Sequence, residues 1–238
     1  MSIKRLSGTA FPVVMMAMLA GNVSADWTGS GELGLVAARG NTDTETLNTE
    51  LNLDYERGKW SNSTKISYLR SESDGDLEAN RFLFGNSTNY SLSEKSYLVG
   101  VARYDWDEFS SFKFQSSLAL GYGRVLIDNE RQRFSIEAGP GVRYAEVRDT
   151  GQTETDLIGR IGADYRLAVS ETTEFTNITL IETGSSNTFI ENEAALTVSI
   201  NDSFALKTGF AIRHNTDVQP GRDKTDYLTT VNLVYGFL

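Results

Sequence analysis

Cysteine is absent from this chain of 238 residues, and histidine occurs only once. Without cysteine the chain forms no disulfide and offers no thiolate ligand, and a single histidine excludes a metal site built from several imidazoles. Proline is also scarce, at three residues: Pro12, Pro140 and Pro220. Since no proline-rich linker, charge block or low-complexity tract divides the chain, we expect one domain over residues 26–238.

Positive charge is in deficit, and long apolar runs are missing. The chain has 22 Lys and Arg residues against 32 Asp and Glu residues, a formal net charge of −10. An acidic protein repels a phosphate backbone, so nucleic acid is not expected as a partner. No stretch of about 18 apolar residues follows the N-terminal region, so we expect no helix that crosses a bilayer.

Residues 1–25 have the pattern of a cleaved export signal. Lys4 and Arg5 give a basic start, an apolar run follows from Ala10 to Leu19, and Val23-Ser24-Ala25 supplies small residues for cleavage. At about ten residues the apolar run is too short for a permanent membrane helix. We therefore expect export across an inner membrane, and the loss of Lys4 and Arg5 would lower the net charge from −10 to −12.

The rest of the chain alternates apolar with polar side chains, which is the periodicity of β-strands. One face of a strand would carry Leu47, Thr49, Leu51, Leu53 and Tyr55, and the other Asn48, Glu50, Asn52 and Asp54. A second strand would alternate Phe112, Phe114, Ser116, Leu118, Leu120 and Tyr122 with polar or small residues, and a third would do so from Tyr227 to Phe237.

The same alternation predicts twelve strands, an even number that places both ends of the domain on the periplasmic side of a barrel. They lie near residues 27–38, 44–57, 60–71, 78–91, 96–107, 112–126, 133–148, 155–170, 174–183, 188–200, 204–215 and 223–238. Clusters of Gly, Asn, Asp and Ser separate them, as turns require.

Aromatic residues recur near both ends of the apolar strand faces, and charged residues occupy the opposite faces. The aromatic residues are Trp60, Tyr68, Phe82, Tyr90, Tyr104, Trp106, Phe112, Tyr122, Phe134 and Tyr144. The charged ones are Glu50, Asp54, Arg81, Arg103, Glu137, Arg143, Arg160, Asp164, Arg166, Glu191, Glu193, Lys207 and Arg213. Two aromatic belts and a polar interior are typical of membrane β-barrels. The predicted fold is all-β, a closed antiparallel transmembrane β-barrel of about 12 strands. A soluble periplasmic β-sandwich that binds a ligand remains the alternative fold.

Several motifs together resemble those of one known family. They are the glycine-rich first strand (Gly29, Gly31, Gly34), Arg39-Gly40-Asn41-Thr42-Asp43-Thr44, Tyr104-Asp105 with Asp107 and Phe109, Gly121-Tyr122-Gly123, Gly139-Pro140-Gly141, and Asp226 with Tyr235-Gly236-Phe237. In order and spacing they resemble the YdiY-like family of salt-induced outer-membrane proteins, domain of unknown function 481. The resemblance covers essentially the whole mature chain. It implies a barrel, an outer-membrane location and a link to salt stress, but no catalytic or binding residue.

His214 is the one candidate for a general base at neutral pH, and it lies near the external rim on the outer face of a predicted strand. Outer-membrane lipases place a histidine there, two residues before a serine, whereas this chain has His214-Asn215-Thr216. Without that serine we favour a histidine at the membrane interface. An interfacial lipid hydrolase of the outer membrane remains an alternative function.

Glu191 and Glu193 share one strand face and could form an acid and base pair or a calcium site. We interpret them as members of a lumen charge network, because Arg and Lys are available nearby. Asp74-Gly75-Asp76 lacks further regularly spaced oxygen ligands, so turn chemistry explains it. We therefore assign no catalytic, cofactor-binding or metal-binding residue and expect no cofactor.

The sequence favours a non-enzymatic barrel of the outer membrane, either a narrow pore or a structural envelope protein, with a link to salt or osmotic stress. Twelve strands give a bore between that of filled eight-stranded barrels and that of open porins. The acidic excess would favour cations if a path exists. Expected partners are outer-membrane lipid, lipopolysaccharide and the barrel-assembly machinery, and the sequence leaves the oligomeric state open.

Overall fold

A computed structural model describes residues 27–38 and 43–237. The described residues form twelve strands and no helix: β1 (Trp27–Ala38), β2 (Thr44–Arg57), β3 (Trp60–Ser73), β4 (Asp76–Ser93), β5 (Ser96–Asp107), β6 (Phe112–Asp128), β7 (Gln132–Val147), β8 (Thr153–Ala168), β9 (Thr173–Thr183), β10 (Thr188–Ser199), β11 (Phe204–Asn215) and β12 (Thr225–Phe237). Within these two ranges, no helix has the length and apolar character that crossing a bilayer requires. The expected export signal, residues 1–25, lies outside the described residues, as do residues 39–42 of the loop motif.

The strands form one sheet that closes on itself. Each strand pairs antiparallel with its neighbours in sequence, and β1 pairs with β12 to complete the ring. A sandwich would instead have two stacked sheets, so the alternative of a soluble β-sandwich is wrong. The β1–β12 pairing, from Gly29 with Phe237 to Leu33 with Leu233, closes the ring, and a closed barrel is the form in which strands can cross a bilayer.

The twelve strands predicted from the sequence are confirmed, with every boundary within two residues. The two faces of β2 also follow the prediction. Glu50 faces the lumen, where it contacts Lys65 at 3.1 Å, and Leu51 and Leu53 therefore face outward on the same strand. Outward-facing leucines elsewhere are strongly exposed, such as Leu157 at 86 % and Leu120 at 73 %. Such side chains are suited to contact with lipid.

Aromatic pairs form a belt near each end of the barrel. At the end where β1 begins and β12 ends, here called the terminal end, the paired rings are Trp27–Tyr55, Trp60–Tyr90, Phe134–Tyr165, Tyr165–Phe175 and Phe204–Tyr235. At the opposite end, here called the loop end, they are Phe82–Tyr104, Tyr104–Phe114, Phe114–Tyr144 and Phe210–Tyr227. Aromatic side chains favour the two interfaces of a membrane, so a belt near each end is what a bilayer-spanning barrel requires.

Phe112 departs from the predicted alternation. It is only 6 % exposed, whereas the side chain of Lys113 beside it is 52 % exposed. The register between β6 and β7 shifts between Phe112 and Phe114. A bulge of this kind adds one residue to a strand and interrupts its period of two, so the placement of Phe112 with the outward aromatics was wrong.

Candidate functional site

Of the charged side chains that face the lumen, ten from seven strands are linked by ion pairs and are here called the lumen charge cluster. Its members are Glu32, Glu50, Lys65, Arg81, Arg103, Asp105, Glu191, Glu193, Lys207 and Arg213. Strand alternation places them there, because each follows the inward parity of its strand. Five are acidic and five are basic, so the cluster has no formal net charge.

The centre of the cluster connects opposite sides of the ring. Arg103 on β5 donates from Nη1 to Glu191 Oε1 on β10 at 2.8 Å, and from Nη2 to Glu191 Oε2 at 3.1 Å. Arg213 on β11 donates to Asp105 on β5, and its Nε lies 2.6 Å from Glu191 Oε2. Four strands separate β5 from β10 on one side of the ring and six on the other, so these bonds cross the lumen.

A third arginine completes the centre. Arg81 on β4 contacts Asp105 Oδ1 from Nε at 3.2 Å and Glu191 Oε2 from Nη2 at 3.5 Å. Two carboxylates thus share three guanidinium groups. Charge-assisted and bidentate bonds of this kind are short and fix the geometry of both partners. Neither carboxylate is left uncompensated, as buried charges require.

Two lysines extend the cluster towards β1 and β2. Lys65 on β3 lies 2.9 Å from Glu193 Oε2 on β10 and 3.1 Å from Glu50 Oε2 on β2. Lys207 on β11 contacts Glu32 Oε1 at 2.7 Å and Glu50 Oε1 at 3.6 Å. Because Lys65 also joins opposite walls, the cluster narrows the lumen at two adjacent levels.

Phe189 on β10 packs inside the central group. Its ring is 5 % exposed, with Arg103 Cζ at 5.0 Å and Arg213 Cζ at 5.2 Å from the ring centroid. Guanidinium groups are attracted to an aromatic face, and the ring fills space that water would otherwise occupy. The lumen is therefore closed here by an apolar side chain as well as by ion pairs.

Loops close the loop end above the cluster. Arg143 on β7 donates to Asp156 Oδ2 at 3.0 Å and to the Asn187 carbonyl at 2.8 Å, which holds the β9–β10 loop against β7 and β8. Ser185 and Ser186 both donate to Asp156. Asn187 is 2 % exposed, so this loop turns inward over the barrel.

The loop between β11 and β12, residues 216–224, reaches across to the loop between β5 and β6. The backbone N–H of Gln219 donates to Ser111 Oγ at 3.2 Å, and the Arg222 side chain donates to the Phe109 carbonyl. Arg148 from the β7–β8 loop donates to the Ser110 carbonyl at 3.0 Å. Loops from three sides of the ring therefore meet over the loop end.

Two cavities flank these contacts. One is lined by residues that include Arg103, Ser117, Arg143 and Glu182. The other extends from the centre of the cluster towards β1 and β12 and is lined by Glu32, Arg81 and Asn232 among others. The lumen thus holds space on both sides of the cross-lumen bonds.

Sequence reasoning found most of the cluster but not all of it. The inward charges Glu50, Arg81, Arg103, Glu191, Glu193, Lys207 and Arg213 are brought together, whereas Glu137 pairs with Arg160 and Asp164 with Arg166 elsewhere. The prediction omitted Glu32, Lys65 and Asp105. The alternation of each strand could have identified all three residues. Asp105, for example, lies between Tyr104 and Trp106, which face outward, and so must face inward.

His214 is not bonded to Thr216, the residue that the sequence pattern offers in place of the serine of a lipase. Its Nδ1 lies 2.9 Å from Thr225 Oγ1, its registered neighbour on β12. Thr216, the hydroxyl that would have to replace the missing serine, donates to Asn187 Oδ1 instead. No nucleophile–base hydrogen bond therefore joins His214 to Thr216.

Asp74-Gly75-Asp76 forms the tight turn between β3 and β4. Asp74 and Gly75 both have positive φ, at 52° and 88°, and Asp74 Oδ1 accepts from the Asp43 amide at 2.8 Å. Asp and Gly are the residues that such turns favour. Across the described ranges, no three His, Cys, Asp or Glu side chains are arranged to hold a metal ion.

A closed antiparallel barrel with aromatic belts and a charged lumen defines the class as that of outer-membrane β-barrels. Solved structures agree on this fold. The NanC porin has a TM-score of 0.50 at 12% identity, with 88% of this chain and 97% of that chain covered. An outer membrane channel from Pseudomonas putida F1 has a TM-score of 0.51 at 10% identity, covering 89% and 95%. The translocator domain of the autotransporter NalP from Neisseria meningitidis has a TM-score of 0.50 at 10% identity, covering 91% and 90%.

Within that class the chain belongs to DUF481, a family of proteins of unknown function, whose model matches residues 31–237. The chain is 26% identical to the uncharacterized protein YdiY of Escherichia coli (strain K12) over 213 residues, which covers 87% of this chain and 82% of YdiY. The family resemblance inferred from the motifs is confirmed.

Proposed function

We propose that this chain is a narrow, non-enzymatic pore of the outer membrane, in a closed state, with the lumen charge cluster as its constriction. The observation that carries the proposal is the ion pairing of Arg103 with Glu191 across the lumen. When ion pairs block a bore, water can take over the hydrogen bonds of the charged groups as they separate. A bore filled only by apolar side chains would open only if those side chains repacked. The proposal includes export by the signal at residues 1–25, insertion by the barrel-assembly machinery, and contact with lipid and lipopolysaccharide.

The lumen on the terminal side of the cluster supports a water path. On β1 to β4 several of its inward residues are small and polar: Thr28, Ser30, Asn52, Ser61, Ser63 and Ser87. Ser63 is exposed although it faces inward, so the bore is open to solvent at this level. A structural barrel would need no such wide polar vestibule, because eight strands suffice for a filled interior.

Cations are the expected permeants. The chain has ten more acidic than basic residues, and the cluster itself is balanced, so the excess lies elsewhere. Acidic residues near a narrow polar bore raise the local concentration of cations. The proposed role in salt or osmotic stress follows from the family resemblance. A strain lacking the gene should then grow more slowly than its parent at high salt, and equal growth would remove that part of the proposal.

Single-channel recording of the purified full chain in planar bilayers tests the pore. We expect a small conductance for the wild type and a several-fold larger one for Arg103→Ala with Glu191→Ala, which removes a cross-lumen pair without changing net charge. The matched control is Lys113→Ala with Glu146→Ala, a pair at 3.1 Å that is not part of the cluster. We expect the conductance of the control to equal that of the wild type.

The recordings also separate the pore from its alternatives. A structural barrel predicts no conductance from any of the three proteins at any voltage, and that result would overturn the proposal. Equal conductance in all three would instead show that the constriction lies elsewhere. A reversal potential in a salt gradient that indicates anion preference would contradict the expected selectivity.

A further inference from the structure

The lipid-facing side of β9 and β10 carries three polar side chains. Glu191 and Glu193 face the lumen, so Asn192 between them faces outward. Thr179 is in register with Asn192, and Asn177 lies two residues away on the same face of β9. We call Asn177, Thr179 and Asn192 the outer amide patch.

The outer amide patch lies between the two aromatic belts. Strand pairing places Tyr165, Asn177, Ala194 and Phe210 in one registered row across four neighbouring strands. Tyr165 belongs to the belt at the terminal end, and Phe210 belongs to the belt at the loop end. Because the strands of a membrane barrel are tilted, such a row runs from one interface to the other. Asn177 is therefore at the depth of lipid acyl chains.

The hydrogen bonds within the patch leave one donor and one acceptor site unused. Asn192 Nδ2 donates to Asn177 Oδ1 at 3.1 Å and to Thr179 Oγ1 at 2.8 Å. Asn177 Nδ2 carries two N–H groups but donates only to Asn192 Oδ1, at 3.2 Å. Within the described part of the chain, the second N–H of Asn177 and a lone pair of Asn192 Oδ1 thus have no partner. Hydrocarbon offers no water to replace one, so leaving them unpaired is costly.

A similar cluster on the opposite side of the ring is complete. It consists of Asn62 and Thr64 on β3 and Asn86 and Thr88 on β4, and four strands separate it from the outer amide patch in each direction. Asn62 Nδ2 donates to Asn86 Oδ1 at 3.2 Å and to Thr88 Oγ1 at 2.7 Å. Asn86 Nδ2 donates to Asn62 Oδ1 at 3.2 Å and to Thr64 Oγ1 at 2.8 Å. Both amides use both of their N–H groups, so this closed cluster needs no further partner.

An identical patch has the groups that the outer amide patch lacks. A two-fold axis along the membrane normal turns the patches of two copies towards each other and keeps every residue at its depth. Asn177 and Asn192 bond to each other and so lie at similar depths, which brings Asn177 of each copy opposite Asn192 of the other. We propose that the chain forms a two-fold symmetric dimer in the membrane through the outer amide patch. The unused N–H of Asn177 donates to Asn192 Oδ1 of the second copy, and the symmetry forms this bond twice.

Small side chains beside the patch allow two barrel walls to approach closely. Ala194 on β10 is in register with Asn177, and Ala163 on β8 is in register with Thr179, so both alanines face lipid. Small residues that flank polar ones are also the means by which membrane helices associate, because close approach brings the polar groups within hydrogen-bonding distance. Ile161 and Leu196, which are 52 % and 43 % exposed, lie on the same outward faces and would be covered in the dimer.

Disulfide cross-linking in vesicles tests the dimer, because the chain has no cysteine of its own. Ala194→Cys places one thiol beside the outer amide patch. The matched control, Ala102→Cys, places one beside the closed cluster, where Ala102 is in register with Asn86. Each full chain is reconstituted into phosphatidylcholine vesicles and oxidised with copper phenanthroline. We expect the covalent dimer to form several-fold faster from Ala194→Cys, whereas equal rates, as random collisions give, would overturn the proposal.

Two double variants of the Ala194→Cys protein test the hydrogen bonds. Asn177→Leu with Asn192→Leu removes the donor and the acceptor and should lower the rate of cross-linking to that of Ala102→Cys. Asn62→Leu with Asn86→Leu makes the same exchange in the closed cluster and should leave the rate unchanged. Leucine suits a lipid-facing position, so both variants should fold, which heat-dependent migration in gel electrophoresis checks. Cross-linking that persists after the first exchange would contradict the proposed bond.

Counting the copies separates a dimer from other ways of covering the patch. A fluorophore at Glu94→Cys, in the exposed turn between β4 and β5, labels each chain once. Photobleaching of the purified protein in vesicles that hold few copies should occur in two steps for most particles. Single steps throughout would show that lipid or a different protein covers the patch, and the proposal would fail. Conductance plays no part in these measurements, so they succeed or fail independently of the pore.

Discussion

Arg103 and Glu191 form a two-point ion pair between strands on opposite sides of the barrel, with nitrogen–oxygen distances of 2.8 and 3.1 Å. A bidentate pair fixes both distance and direction. It therefore sets the separation of β5 and β10 at this level as well as filling the space between them. The same side chains both brace the barrel and close it.

Glu191 should be more important for stability than an ordinary surface carboxylate. Glu191→Gln keeps the shape of the side chain but leaves three arginines with one fewer negative charge, and breaking a buried pair costs about 3–5 kcal/mol. Urea unfolding in detergent measures the loss. Glu146→Gln, whose partner Lys113 is exposed, is the control and should change the free energy of unfolding by less than about 1 kcal/mol. A loss at Glu191 no larger than the loss at Glu146 would contradict the bracing role.

A polar pair on the lipid-facing side of β3 and β4 should be coupled. Asn62 and Asn86 each donate to the other at 3.2 Å, on the same faces as Trp60 and Tyr90. Asn86→Ala leaves the Asn62 amide with fewer partners in hydrocarbon, at a cost of about 1–3 kcal/mol. The double change to alanine should therefore cost less than the sum of the two single changes. Additive losses in unfolding experiments would show that the amides do not support each other.

Arg222 should control access to the loop end. Its bond to the Phe109 carbonyl holds residues 216–224 over the mouth, beside Ser111, which is 5 % exposed. With Ser111→Cys as the only cysteine, Arg222→Ala should raise the rate of labelling by a membrane-impermeant maleimide several-fold. Arg131→Ala, in a turn at the terminal end, should leave the rate unchanged. An unchanged rate in the Arg222 variant would show that the loop is held by other contacts.

His214 should have no role in lipid hydrolysis, because the Thr216 hydroxyl, which would replace the missing serine, is bonded to Asn187 and not to the imidazole. We expect no release of fatty acid from phosphatidylcholine vesicles by the wild type, by His214→Ala or by Thr216→Ala. Hydrolysis by the wild type that disappears in both variants would restore the hydrolase alternative.

The sequence was sufficient for the strands and their faces because a period of two is a local property. It placed Glu191 and Arg103 in the lumen correctly. The sequence could not show that these two residues form an ion pair, because they lie 88 residues apart. The alternation of side chains along a strand does not report which strands lie opposite each other in the ring.

Local irregularities were also beyond the sequence pattern. The shift at Phe112 and the end of pairing after Leu33 depend on the register between strands, and the alternation of single strands does not report register. The loop contacts of Arg222 likewise depend on which loops meet at the rim.

The most direct test of the account is a spin-label scan of β2 from Leu47 to Tyr55 in lipid vesicles, one introduced cysteine at a time. Odd positions should collide mainly with oxygen, which concentrates in hydrocarbon, and even positions, including Glu50, should not. This period of two would show that the apolar face contacts lipid and the charged face lines the lumen. If oxygen collisions were instead greatest at the even positions, or a water-soluble nickel complex reached Leu51 and Leu53 freely, the membrane barrel and the pore proposed from it would both be wrong.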